Sequence, residues 1–172
     1  MEQLISPLRL TGLLALLGST IYAIGDTLLL AAKVNLENYP KLKPFKKLLS
    51  DAEKFVVVSS DRMMWGALIG VFATPLILAG YWQVYQGLSG ANETLRLVTM
   101  LLFGIASVVG AFVHGSFFYM GEYVKMLNAV KEDSQQVVAD MIARNRKVLT
   151  IGYAPVMILI IFASVLFSIM AG

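Results

Sequence analysis

Two side chains carry chemistry in stretches that otherwise carry none. Asp26 is the only charged residue between Arg9 and Lys33, and His114, the single histidine of the chain, is the only group between Arg96 and Glu122 that titrates near neutral pH. A carboxylate in apolar surroundings is costly unless it is paired, and an imidazole can hold or pass a proton. Together they suggest a hydrogen-bonding, acid/base or proton-holding site. Tyr153, two residues before Pro155, offers a phenol as a third member. Two uses compete for these groups. In one, Asp26 accepts hydrogen bonds from His114, a tyrosine or the Thr27 hydroxyl and locks helices together. In the other, the site meets a polar head group or a proton.

Several chemistries fall away. There is no cysteine, so thiolate ligands, disulfides and a thiol nucleophile are excluded. One imidazole and one carboxylate do not fill the three or four positions of a zinc site, and Glu122 lies two helical turns from His114, so no metal is expected. No Walker loop, dinucleotide fingerprint, HExxH or G-x-S-x-G is present, and no cofactor is expected.

These groups must be positioned by elements that the composition identifies. The chain of 172 residues is 58% hydrophobic and 15% charged, with a mean hydropathy of +0.72. A soluble domain of that size needs more charge. The apolar residues fall into four blocks, near 8–32, 63–86, 97–121 and 148–171, each able to supply the roughly 20 residues that cross about 30 Å of hydrocarbon as a helix. The expectation is an all-α integral membrane protein: a four-helix antiparallel bundle forming a single transmembrane domain over 1–172.

The basic residues sort themselves accordingly. Segment 33–62 holds seven Lys/Arg and segment 122–147 holds five, together twelve of the 14, leaving only Arg9 and Arg96 for the other side. The positive-inside rule then puts both segments in the cytoplasm and both termini outside, in a multi-pass cell inner membrane. Leu10 to Gly18, followed by Ala23, Ile24 and Gly25, could pass for a signal peptide, but its removal would turn both basic segments outward against that rule. With this orientation Asp26 lies about 10 Å, His114 about 12 Å and Tyr153 about 9 Å from the cytoplasmic end of its span. A common depth makes an Asp26–His114 pair the central expectation.

Smaller signals surround it. Gly25 precedes Asp26; Gly110, Ala111 and Gly115 flank His114; and Gly66 and Gly70 form a small-xxx-small pair whose ordinary meaning is close helix packing. Pro75 and Pro155 are expected to loosen their helices. Tyr81, Trp82 and Tyr85 mark the outer interface and Trp65 the inner one. From Lys41 to Val58, apolar residues recur at helical spacing. This predicts an amphipathic helix, begun near Pro44, lying on the inner leaflet, where Lys43, Lys46, Lys47 and Lys54 would reach anionic headgroups. The alternative is a helix packed on the second basic segment. In that second segment a helical extension is expected to break at Glu132 to Ser134. The partners implied are the bilayer and anionic lipids at its cytoplasmic face, without nucleic acid and with a homo-oligomer left open.

Through GDTLLL (Gly25 to Leu30), the stretch Trp65 to Gly80 and His114, the chain resembles an uncharacterised bacterial family of small multi-span inner-membrane proteins. The resemblance implies a bacterial inner membrane and no activity; members of that family carry further spans after the fourth. Three functions remain open: binding or transport of a small polar or amphipathic molecule or of protons, an intramembrane enzyme acting on a lipid with His114 as acid/base, and a structural subunit of a membrane complex.

Overall fold

A computed structural model describes residues 6–171, and every element among them is helical. Four helices are long and apolar enough to cross a membrane: α1 (Pro7–Leu30), α3 (Ser60–Gly87), α4 (Glu93–Ala129) and α5 (Glu132–Ala171). A four-residue helix, α2 (Lys46–Leu49), lies between the first two.

The starts of these helices follow from sequence. The Ser6, Ser59 and Asn92 side chains accept hydrogen bonds from the N–H groups of Arg9, Arg62 and Leu95, satisfying donors that the first turn leaves free. Pro7 adds a preset φ at the first position of α1. Helices α3 and α5 run unbroken through Pro75 and Pro155. The break between α4 and α5 falls at Val130 and Lys131, just ahead of the acidic residues that signalled it.

α1 packs on α3, α3 on α4 and α4 on α5, while α1 and α5 make no comparable contact. The four form an arc with one open side. Much of their remaining surface is apolar and exposed, including Leu16, Phe72, Phe112, Ile161, Phe162 and Ile169.

The expected amphipathic helix over Lys41 to Val58 is not a single helix. Residues Pro40–Phe45 form a 3-10 segment containing Pro44, α2 follows, and Ala52–Val57 form another 3-10 segment. The interruption is at Ser50 and Asp51, both left-handed, with φ of 42° and 73°. Such residues end a helix and reverse the chain. The reversal sends Leu42, Leu49, Phe55 and Val58 into a core with Val124, Leu127, Val138 and Ile142 of α4 and α5. Burying a side chain such as Phe55 contributes about 1.5–3 kcal/mol, which outweighs keeping one regular helix. The apolar face thus belongs to the protein interior. At the same end, the Lys41 ammonium donates to the Val130 carbonyl.

Candidate functional site

The site begins with a glycine contact between α1 and α3. A Cβ on Gly25 would stand 2.8 Å from the Gly66 carbonyl oxygen, and one on Gly66 would stand 3.0 Å from that of Gly25, so the two backbones touch where side chains are absent. Gly70 makes the next opening. A methyl group there would overlap the His114 imidazole, and its absence lets the Nε2 side of the ring approach the α3 backbone. The register of α1 is held from below by Arg62, whose guanidinium donates to the carbonyls of Leu28 at 2.8 Å, Ala31 at 2.9 Å and Thr27 at 3.2 Å. The end of α1 would otherwise leave the Leu28 and Ala31 carbonyls unpaired, while that of Thr27 also accepts from the Ala31 N–H at 3.1 Å.

His114 is buried, and both of its ring nitrogens meet protein atoms. Nε2 lies 3.1 Å from the Gly66 carbonyl oxygen, and Nδ1 lies 3.4 Å from Asp26 Oδ1. A carbonyl oxygen can only accept, so Nε2 carries hydrogen and donates. Tyr22, one turn before Asp26 on α1, packs its ring against the imidazole with centroids 4.7 Å apart. The Asp26 side chain remains 45% exposed while that of His114 is 4% exposed. The carboxylate, not the imidazole, is the group that solvent or a ligand can touch.

It is exposed to a cavity of about 840 Å³ between α1 and α5. Tyr22 and Asp26 form one wall, His114 and Phe117 of α4 the floor, and Thr150 and Tyr153 of α5 the far wall. Most of the remaining lining is aliphatic. One end is closed by the turn Leu49–Phe55, which brings Asp51 and Lys54 to the rim beside Arg146. Arg146 is anchored there by the carbonyls of Leu48 at 2.6 Å and Lys47 at 3.4 Å.

The three residues singled out by chemistry, Asp26, His114 and Tyr153, therefore line one space. The Thr27 hydroxyl does not join them, donating instead to the Ala23 carbonyl at 2.8 Å. Of the four lysines expected at a membrane surface, Lys46 and Lys47 are exposed, Lys43 is exposed and paired with Glu37, and Lys54 is half-buried at the cavity rim. Glu122 accepts a hydrogen bond from the Ser60 hydroxyl at 2.7 Å, and among the described residues no group of His, Asp or Glu is arranged to hold a metal ion. The trio lacks Tyr22, Thr150 and Arg146. Their signal was helical spacing: Tyr22 is four residues before Asp26, and Thr150 and Arg146 are three and seven before Tyr153, all on the same helix faces.

Compared with known proteins, residues 1–172 match a family model described as a family of unknown function (DUF6796). This agrees with the resemblance to an uncharacterised family and supplies no activity. No curated protein and no solved structure matches.

Proposed function

Because the chain belongs to DUF6796, a family without an assigned activity, we propose its function from the site: it is a four-span inner-membrane bundle that binds, and in transport would carry, a small amphipathic molecule in the cleft between α1 and α5. Both basic segments, 33–62 and 122–147, then face the cytoplasm. The cleft opens sideways to the inner half of the bilayer, with Lys43, Lys46, Lys47 and Lys54 at or near anionic headgroups.

One observation carries the proposal. Two helices that do not pack on each other flank a space of about 840 Å³ whose lining is largely aliphatic and aromatic, with Asp26, Tyr22 and Tyr153 together on it and the charged groups Asp51, Lys54 and Arg146 at its rim. Binding sites for small molecules have this composition: broad apolar area with a few placed polar groups. An amphipathic ligand matches it because lipid has access from the open side, and the apolar lining offers nothing to a ligand without a tail. The lipid-enzyme alternative is less well supported, since His114 offers neither ring nitrogen to a substrate.

A tryptophan at the cleft reports occupancy. The two native tryptophans, Trp65 and Trp82, are exposed on α3; with both changed to Phe, Tyr153→Trp leaves one fluorophore at the cleft wall. Added to this variant in lipid nanodiscs, 11-bromoundecanol should quench the fluorescence saturably, and excess undecanol should restore it. Quenching that grows linearly, as for a lipid-facing Trp65 alone, would mean that the cleft holds no ligand.

A further inference from the structure

The tautomer of His114 has a consequence for what the cleft recognises. With hydrogen fixed on Nε2 by the Gly66 carbonyl, Nδ1 of a neutral ring would present a lone pair to Asp26 Oδ1 at 3.4 Å. Two acceptors face each other there unless a proton lies between them. With that proton the pair is neutral overall, either as imidazolium and carboxylate or as imidazole and carboxylic acid. Without it the pair carries one uncompensated negative charge in an apolar cleft, which is costly.

Every charged or titratable group facing the pair bears on how that charge is met. Tyr22 faces it from α1 and Tyr153 from α5, each offering a phenol hydroxyl and no cation. From α3, Arg62 points its guanidinium at the carbonyls at the end of α1, one of them that of Thr27 beside Asp26. At the rim stand Asp51 and Lys54, and Arg146 is occupied by two carbonyls. Among the described residues Asp26 is ion-paired with His114 and with neither rim cation. Restoring neutrality at the pair itself therefore requires a proton or another monovalent cation placed against the carboxylate.

We infer that the cleft takes an amphipathic organic ammonium, whose charged nitrogen pairs with Asp26 and displaces the proton held between Asp26 and His114. The inference rests on the cleft reading and names its ligand class. R–NH3+ enters, one H+ leaves through the rim to solvent, and the charge in the cleft is unchanged. The aromatic residues Tyr22, Phe117 and Tyr153 line the same space, and the face of an aromatic ring attracts a cation. The aliphatic lining accepts the alkyl tail. A divalent metal ion is a poor occupant, because one carboxylate and two phenols fall short of six or more oxygen ligands. His114 is in this scheme a positioning residue: it holds Asp26 and stores the proton, and the carboxylate meets the ligand.

The test compares two probes of equal chain length, dodecylamine and dodecanol, as competitors of 11-bromoundecanol quenching in the Tyr153→Trp reporter, at matched membrane-bound concentrations. The amine is expected to compete about ten- to a hundredfold more strongly. Titration calorimetry of the wild-type chain in two buffers of different ionisation enthalpy should register the release of up to one proton per amine bound and none with the alcohol. Asp26→Asn should bring the amine down to the alcohol's level while bromoundecanol still quenches saturably, which also shows that the variant is folded. Equal competition by amine and alcohol, absence of proton release, or an Asp26→Asn variant that keeps its amine preference would overturn the inference and leave the cleft as an amphiphile site. Absence of saturable quenching by any probe would overturn both.

Discussion

Placing one methyl group at Gly70 probes the whole construction of the site. A Cβ at that position would meet His114 Nε2 and Cδ2 head-on and stand 2.9 Å from Cε1. The ring has little room to retreat. Tyr22 packs against it with centroids 4.7 Å apart, Nε2 is bonded to Gly66, and Nδ1 faces Asp26. Gly70→Ala must therefore strain the packing, at about 1–3 kcal/mol, and break the Nε2 hydrogen bond, at about 1 kcal/mol. The gain of about 1 kcal/mol from replacing glycine within a helix offsets part of this. Gly110→Ala is the matched control, because its Cβ would find only Val156 Cγ1 at 3.9 Å, an ordinary contact. The helix-propensity gain cancels between the two, so Gly70→Ala should be less stable than Gly110→Ala by about 2–4 kcal/mol. Reversible unfolding in mixed micelles, or steric trapping in bicelles, measures that difference. Equal stability of the two variants would show that His114 does not lie in the notch left by Gly70.

Two further predictions concern the frame around the site. Phe55→Ala should destabilise by about 3–5 kcal/mol, whereas Val57→Ala, on a side chain 43% exposed, should cost under about 0.5 kcal/mol; similar small effects at both positions in a denaturation series would return segment 41–58 to the membrane surface. Cysteines introduced singly at Ser89 and Ser134 should react with an impermeant maleimide from opposite sides of intact cells, Ser89→Cys from outside and Ser134→Cys only after permeabilisation, and labelling from one side would refute the topology.

The long helices were legible because hydrocarbon-length runs without charge leave few alternatives. Asp26 and His114 could be paired at a distance of 88 positions because a helix converts residue count into depth, and the flanking basic residues supply a common origin. What depth cannot supply is azimuth. Tyr22 and Thr150 were not singled out, although their spacing from Asp26 and Tyr153 puts them on the same faces, because neither carries a charge to draw notice. Arg62 registered only as one more positive charge, since its partners are carbonyls some thirty residues away, at Thr27, Leu28 and Ala31. The segment from Lys41 to Val58 was misread for a different reason. Helical spacing of its apolar residues persists across Ser50 and Asp51, and only the turn-forming character of that pair hinted that the chain reverses there. Once it reverses, Leu49 and Phe55 reach the core between α4 and α5 instead of lipid.

The pair at the heart of the cleft can be observed without ambiguity, because His114 is the only histidine. Solid-state ¹⁵N spectra of histidine-labelled protein in lipid bilayers, recorded for wild type and for Asp26→Asn, report the hydrogen on each ring nitrogen. A protonated, hydrogen-bonded Nε2 in both, with an Nδ1 resonance that moves when the carboxylate is removed, is the expected result. A ring carrying its hydrogen on Nδ1 with Nε2 bare, or an Nδ1 resonance indifferent to Asp26→Asn, would contradict the pairing of the two residues.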